Sequence, residues 1–149
     1  SLEKAREVAE IADELDIQVN GYFVIGMPGE TENSIERSLQ FAQSLPLKDV
    51  GVFIATPFPG TRLYDRCMHE GFAKPEEVEA AYDNQPDAAV LHQPLIETPV
   101  MSKERVKWWE REFHRRFWAH RLKGKPLMRL KFWARKIYWK IMELIQDKK

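Results

Sequence analysis

Two apolar stretches, each followed by turn residues and then by a helical pattern, organise the first half of the chain. Residues 21–25 are apolar and β-prone, residues 26–30 are rich in glycine and proline, and Thr31 opens a helical pattern. Residues 50–56, 57–61 and then 62 onward repeat this order after about 30 residues. Because consecutive strand, loop and helix units form right-handed βα repeats, the pattern predicts a parallel sheet in an α/β fold.

Helical stripes are predicted around these strands. The first runs from Leu2 to Leu15 and leads into a strand predicted over Ile17 to Ile25. A second stripe includes Ile35, Leu39 and Leu45, and Pro46 ends it. A third helix is predicted from Arg62 to Glu70 with Gly71 as its C-cap, followed by a short helix over Pro75 to Tyr82 and a loop over Asp83 to Asp87.

Three polar or reactive residues in these elements have competing interpretations. Gln18 and Asn20 interrupt the first strand, either as its solvated start or as contacts to a ligand enclosed by a barrel. Cys67 lies one helical turn from Leu63, which predicts a packed thiol. The four histidines have no metal-ligand spacing, and we assign no metal to this chain.

The two loops carry the candidate chemistry. Gly26 and Gly29 allow close approach of a ligand, and Pro57 and Pro59 make the second loop rigid. Loops of this type lie at the carboxyl ends of parallel strands, where ligands bind, but an ordinary βα loop uses the same residues. The absence of a Gly-Lys-Ser/Thr ending argues against a nucleoside triphosphate site.

Residues 21–31, Gly-Tyr-Phe-Val-Ile-Gly-Met-Pro-Gly-Glu-Thr, and residues 55–64, Ala-Thr-Pro-Phe-Pro-Gly-Thr-Arg-Leu-Tyr, resemble a known family. They are similar to the fifth and sixth strand segments of radical S-adenosylmethionine enzymes, above all of the subgroup with an upstream cobalamin-binding domain. Residues 115–118 are similar to an Arg-Arg-Phe-Tyr element that follows the barrel in that subgroup. The resemblance implies that residues 1–101 are the C-terminal part of a TIM-type βα barrel with parallel strands.

What the resemblance implies for this chain is a set of cofactor contacts. In the family the first segment ends beside the adenine of S-adenosylmethionine and the second contributes nearby backbone contacts. Glu30 falls one position later than the acidic residue of the family pattern, and it either holds the loop or favours the helix N-terminus. The candidate cofactor-binding residues are Val24, Ile25, Gly26, Gly29, Glu30, Ala55, Thr56 and Pro57.

The family's cluster motif, C-x-x-x-C-x-x-C, is missing. The chain has one cysteine, so the ligands of a 4Fe-4S cluster are expected outside it, as is any cobalamin domain. We therefore expect a C-terminal fragment that is inactive alone and that works with the N-terminal remainder of the same polypeptide on a small-molecule substrate. The implied reaction is a radical-based methyl transfer or an oxidative cyclisation.

A change in charge sets off the last third of the chain. Residues 1–101 hold 7 basic and 18 acidic side chains, whereas residues 102–149 hold 16 basic and 5 acidic side chains and all five tryptophans. This division predicts a second segment, residues 102–149, that forms an α-helical hairpin. Ser102 caps its first helix, Gly124 and Pro126 break it, and its apolar face is Val106, Trp109, Phe113, Phe117 and His120.

Three roles for this hairpin remain open at this point: packing under the barrel, lying on an anionic membrane surface, or binding nucleic acid. Nucleic acid is the least favoured, because the aromatic residues follow a helical stripe. A basic membrane-binding hairpin on an acidic α/β part would also suit a non-catalytic adaptor. The chain contains no apolar run of about 20 residues and only one cysteine, so a cytoplasmic protein, peripheral at most to the inner membrane face, is expected.

Overall fold

The computed structural model describes residues 1–84 and 88–123. The predicted second helix of the hairpin, the break at Gly124 and Pro126, and residues 85–87 of the predicted loop lie outside the described residues. The elements are α1 (Leu2–Glu14), β1 (Asn20–Ile25), α2 (Glu32–Ser44), β2 (Asp49–Ile54), α3 (Arg62–His69), α4 (Pro75–Asn84), a 3-10 helix (Ala88–His92) and α5 (Lys103–Arg121).

The two strands pair in parallel, with Asn20 opposite Asp49 and Ile25 opposite Ile54. The α/β class and the parallel pairing are thereby confirmed, and closure into a TIM-type barrel stays a prediction. The strand predicted from Ile17 begins at Asn20 instead. Asp16 has a φ of 56°, which makes a tight turn after α1, and residues 17 and 18 are exposed on the way out of it.

The sheet has one covered face and one open face. Because side chains alternate along a strand, Phe23 and Ile25 point to the same side as Val52 and Ile54. This covered face packs against α5, where the rings of Phe23 and Phe113 are 5.1 Å apart. The open face carries Tyr22, Val24, Gly51 and Phe53, and its two β1 side chains are well exposed.

Helix α2 forms as its sequence predicts. Thr31 accepts a hydrogen bond from the backbone N–H of Ser34, and the Ser34 hydroxyl accepts one from the backbone N–H of Thr31, which completes a capping box. The apolar stripe of α2 is buried at Ile35, Leu39 and Ala42. The predicted helix opening at Thr31 is confirmed.

Helices α3 and α4 enclose a second apolar cluster. Cys67 is fully buried there, together with Val78, Val90 and Ile96. Burial raises the pKa of the Cys67 thiol, so the packed thiol predicted from the sequence is confirmed. Gly71 follows the C-cap of α3 with a φ of 69°, as expected of a helix-ending glycine.

The irregular stretch after α3 is more helical than predicted. Helix α4 continues to Asn84, two residues beyond the predicted end at Tyr82. The loop predicted from Asp83 therefore begins too early. Apolar burial at Val78 and Ala81 draws this helix into the second cluster and supports its last turn.

Helix α5, as far as Phe117, belongs to the same compact unit as the α/β part. Ser102 caps it by accepting a hydrogen bond from the backbone N–H of Arg105 at 3.3 Å. The compact unit runs from Ser1 to Phe117, past the change of composition at residue 101, and a second unit begins at Trp118. Of the predicted apolar face, Val106, Trp109, Phe113 and Phe117 are buried.

The inclusion of His120 in that face is wrong, because His120 is exposed in the last turn of α5, after the end of the first unit. The apolar face of α5 packs against the α/β part, as at Phe113 and Phe23, whereas the role of the predicted hairpin as a whole stays a prediction. In residues 1–84 and 88–123, no helix combines the length and the hydropathy that a membrane span requires.

Candidate functional site

The two loops singled out in the sequence lie next to each other at the carboxyl edge of the sheet. The backbone N–H of Ala55 donates to the carbonyl of Ile25 at 2.8 Å, which continues the parallel pairing one residue beyond β2. The loop after Gly26 and the loop after Ala55 therefore leave the sheet side by side. In parallel α/β folds this edge is where ligands bind.

Glu30 closes the first loop. Its carboxylate accepts a hydrogen bond from the backbone N–H of Gly26 at 2.6 Å, and its own N–H donates to the carbonyl of Met27 at 2.9 Å. Partial burial raises the pKa of Glu30, and the N–H groups of Gly26 and Met27 offset this in part. Of the two roles considered for Glu30, the geometry is that of a group that holds the loop.

The two glycines of this loop serve different needs. Gly26 has a φ of 83°, and a Cβ at this position would lie 3.0 Å from Cγ1 of Val106 on α5. Glycine suits this position because the backbone has a positive φ and because α5 packs too closely to leave room for a Cβ. Gly29 has a φ of 91°, and no atom lies within 4 Å of a Cβ built there. Gly29 therefore borders open space, where a ligand has room.

The first three residues of the second segment point their side chains inward. Ala55, Thr56 and Pro57 are all buried, and the Thr56 hydroxyl donates to the carbonyl of Ile54 at 3.1 Å. Ile25 of the first segment is buried as well, at 1% exposure. Among the eight candidate residues, side chains are thus open to a ligand at Val24 and, in part, at Glu30, whereas the buried ones can offer only backbone groups.

The sequence reasoning did not single out an aromatic pair on the open face. The rings of Tyr22 and Phe53 are 5.9 Å apart, and Tyr22 lies over Gly51, where a Cβ would meet its ring at 2.6 Å. Together with Val24 they make an apolar surface that reaches the two loops. The sequence could have indicated this pair, because side chains alternate along residues 20–25 and 49–54 and the alternation places Tyr22, Val24 and Phe53 on one face.

This surface suits one part of the implied cofactor and not another. An apolar and aromatic face beside backbone polar groups is a common setting for a nucleoside. A 4Fe-4S cluster needs several exposed thiolates, whereas Cys67 is the one cysteine and is buried with a raised pKa. Among the described residues no group of three or more His, Cys, Asp or Glu could hold a metal ion. The residues fit the nucleoside and do not fit the cluster.

Two arginines of α5 fix this helix to α2. Arg105 pairs with Glu32, with Nη2 2.7 Å from Oε2, and its guanidinium lies 3.9 Å from the centroid of the Trp108 ring. Arg116, part of the 115–118 element, forms a two-point ion pair with Glu36. These arginines hold the pKa of both glutamates below the usual range. Arg116 therefore acts here as a structural residue that positions α5.

Comparison with known proteins identifies relatives by sequence. No protein-family model matches the chain. It is 31% identical over 83 residues to cytidylyl-2-hydroxyethylphosphonate methyltransferase of Streptomyces wedmorensis, an alignment that covers 52% of this chain and 16% of the relative. It is 32% identical over 87 residues to tRNA-2-methylthio-N(6)-dimethylallyladenosine synthase of Neisseria meningitidis, covering 56% of this chain and 19% of the relative.

A third relative agrees with these two. The chain is 42% identical over 59 residues to ribosomal protein uS12 methylthiotransferase RimO of Thermosynechococcus vestitus, which covers 40% of this chain and 12% of the relative. The chain thus spans less than a fifth of the length of each of these relatives. Over that part it is homologous to radical S-adenosylmethionine methyltransferases and methylthiotransferases, which confirms the family resemblance read from its two loops.

Proposed function

We propose that this chain supplies the fifth and sixth strand segments of a radical S-adenosylmethionine enzyme that transfers methyl groups, and that the ends of β1 and β2 contact the cofactor. One observation carries the proposal. The two loops of the resemblance lie side by side at the carboxyl edge of a parallel pair, with an apolar sheet face open beside them. Ligands of parallel α/β folds bind at this edge.

Each group in the site has a distinct task under this proposal. Val24 and the backbone of residues 25 and 26 orient the nucleoside, and Glu30 keeps the first loop in place. Buried Thr56 and Pro57 fix the backbone of the second loop. When bound at its cluster, S-adenosylmethionine supplies a radical that removes hydrogen from an unreactive carbon. The cluster ligands, and a cobalamin domain if the enzyme has one, belong to other parts of the polypeptide.

Exposed apolar surfaces support a role for the rest of the polypeptide. In the part of the chain that the structure describes, β1 pairs only with β2, which leaves its other edge free. Val8 of helix α1 is 63% exposed, and Leu15, the C-cap residue that follows the helix, is 66% exposed. A free parallel edge next to an exposed helical stripe is the surface that a further βα unit covers in a barrel. We propose that preceding βα units of the same polypeptide cover it.

The acceptor is proposed to be a small molecule. Support comes from the methyltransferase of Streptomyces wedmorensis, whose name gives a nucleotide-linked phosphonate as its substrate. The names of the other relatives give a ribosomal protein and a tRNA nucleoside. The net chemistry common to all three names is the attachment of a methyl or methylthio group. Oxidative cyclisation has no support among these relatives.

A substitution on the open face tests the cofactor site. In the polypeptide that carries a C-x-x-x-C-x-x-C motif before Ser1, we expect Val24→Arg to weaken S-adenosylmethionine binding by more than about tenfold, because the arginine occupies the apolar surface. Val100→Arg is the control, since Val100 is exposed to a similar extent, 62% against 56% for Val24, but lies in a turn outside the loops. Equal binding by both variants, measured by calorimetry after anaerobic reconstitution, would contradict the proposal.

Two further assays address the fragment and its tail. The chain alone is expected to take up no stoichiometric iron and to leave S-adenosylmethionine uncleaved; a visible cluster absorbance would refute this. Burial of the α5 stripe leaves residues 124–149 as the segment for peripheral contact with an anionic membrane. Co-sedimentation with phosphatidylserine vesicles, lost on removal of residues 124–149, would support that contact, and no binding would end the adaptor alternative.

A further inference from the structure

A second polar cluster joins α5 to the 3-10 helix, next to Phe53 of the open face. It consists of His92 at the end of the 3-10 helix and of Lys107 and Glu110 on α5. Glu110 is 6% exposed and is the one charged side chain of the described residues that is buried. A buried carboxylate requires partners, and here both of its oxygens have one.

The contacts fix the orientation of the imidazole. Nδ1 of His92 contacts Oε1 of Glu110, and Nζ of Lys107 lies 2.7 Å from Oε2. Lys107 also donates to the backbone carbonyl of His92 at 2.7 Å, so both the ring and its backbone are attached to α5. Because a carboxylate accepts, this contact places the proton of the neutral ring on Nδ1. Nε2 is then the nitrogen with a free lone pair.

The imidazole ring lies beside the open face of the sheet. It is 5.5 Å from the ring of Phe53, which is itself 5.9 Å from Tyr22. The side chain of His92 is 45% exposed, in contrast to the buried glutamate behind it. Lys107 already balances the charge of Glu110, so His92 is not needed to neutralise it. What the glutamate adds is a fixed tautomer and ring direction, the arrangement that activates histidine bases.

We propose that His92 is a catalytic residue that accepts a proton from the substrate, with Glu110 and Lys107 as positioning residues. This rests on the proposed function. The step concerned is a polar methyl transfer, separate from the radical removal of a hydrogen atom from an unreactive carbon. Where a sulfonium donor gives its methyl group as a cation equivalent to an oxygen, nitrogen or acidic carbon of the substrate, the donor leaves as a neutral thioether, the bond between that substrate atom and its hydrogen breaks, and the substrate gives up a proton. The substrate keeps the electron pair of that bond, Nε2 forms the new N–H bond, and Glu110 faces the positive charge of the imidazolium. The substrate class is therefore one with such an exchangeable or acidic hydrogen.

The full 149-residue chain can be tested without cofactor, so failure here is separate from failure of the proposed function. Diethyl pyrocarbonate, which acylates unprotonated imidazole, is the probe. We expect His92 to react about tenfold faster than exposed His69 on the same molecule, because its Nε2 is held free and its Nδ1 faces a carboxylate. Peptide mass spectrometry over a time course measures both rates. A His92 rate equal to or below that of His69 would overturn the proposal, and this comparison needs no variant.

The positioning role of Glu110 has its own measurement. In 15N-histidine-labelled chain, neutral His92 is expected to be the Nδ1–H tautomer, and Glu110→Gln is expected to give a mixture of tautomers and a rate near that of His69. His69→Gln is the control. Unchanged tautomer and rate in Glu110→Gln would show a merely structural contact, because a structural contact affects the thermal midpoint and not the chemistry of Nε2.

A model reaction tests the reactivity of the His92 imidazole directly: wild type should accelerate p-nitrophenyl acetate hydrolysis more than His92→Gln.

Discussion

Helices α1 and α5 are both amphipathic, yet among the described residues only the apolar face of α5 is largely buried. Helix α5 buries Val106, Trp109, Phe113 and Phe117, whereas α1 buries Ala9 and exposes most of its larger apolar side chains. Arg6 links helix α1 to α2, since its guanidinium donates to Ser44 and lies over the Phe41 ring. The comparison teaches that an amphipathic pattern predicts a buried face, and that the partner covering this face need not be in the same segment.

Gly26 packs closely against Val106 of α5, and a substitution of Gly26 should have the largest effect. Gly26→Ala places a methyl group 3.0 Å from Val106 and demands a φ of 83° from a residue with a side chain, which should cost about 2–4 kcal/mol. Gly29→Ala is the matched control, because it has a similar φ and open space, and it should cost about 1 kcal/mol. Urea unfolding measures both. Equal costs would show that backbone strain, rather than α5, sets the requirement for glycine.

A matched pair of valines compares the two helices directly. Val106→Ala removes buried methyl groups and should cost about 2 kcal/mol, whereas Val8→Ala should change the free energy of unfolding by less than about 0.5 kcal/mol. The physical reason is that Val106 is 2% exposed and Val8 is 63% exposed. In a longer polypeptide with preceding βα units, the cost of Val8→Ala should rise toward that of Val106→Ala. No rise would mean that the α1 stripe stays uncovered.

The ion pairs of α5 should contribute less than its apolar face. Arg116 holds the pKa of Glu36 below its usual range of about 4.5, so the folded state binds the proton more weakly than the unfolded state. The contribution is thus present above that pH and is lost as pH falls through the lowered pKa. For this partly exposed pair we expect about 0.5 kcal/mol at pH 7. Glu36→Gln should reproduce the loss at pH 7, and its difference from wild type should shrink as the pH falls through the lowered pKa.

Glu30 should show the opposite pH dependence, with the smallest effect. Burial raises its pKa, so its contribution to stability is present below the unfolded pKa and is lost as pH rises through the folded pKa. Compared with wild type, Glu30→Gln should therefore be relatively more stable at pH 7 than at pH 4. Chemical unfolding at both values, with Glu36→Gln as the oppositely signed control, checks the sign. The same sign for both variants would show that the hydrogen bonds from Gly26 and Met27, rather than burial, decide the direction of the pKa shift of Glu30.

Local patterns made much of this fold predictable. The two βα units, the capping residues Thr31 and Ser102 and the buried stripe of α5 all depend on residues a few positions apart. The glycines and prolines of the two loops identified the carboxyl edge in the same way. Strand and helix ends shifted by a few residues, as at Asn20 and Asn84, where turns and packing decide the last hydrogen bonds.

Contacts between residues far apart in the sequence could not be predicted from the pattern of apolar and polar positions. Arg105 pairs with Glu32 across 73 residues, and Glu110 meets His92 across 18, and in neither case does spacing indicate the contact. The sequence also predicted His120 on the buried face, because periodicity continues along a helix even where the surface that it packs against has ended. The glycines and prolines of the two loops were enough to locate the candidate site in the sequence. Its aromatic surface could be recognised only once the register of the two strands showed which side chains share a face.

Cys67 gives the molecule a built-in reporter. Because it is the single thiol of the chain and is fully buried among α3, α4 and the segment around Val90, a thiol reagent reaches it only when this cluster opens. The rate of alkylation in native buffer then measures the free energy of that local opening without denaturant. Cofactor or neighbouring segments that stabilise the second loop, which adjoins the same cluster through Ala55, should slow this labelling.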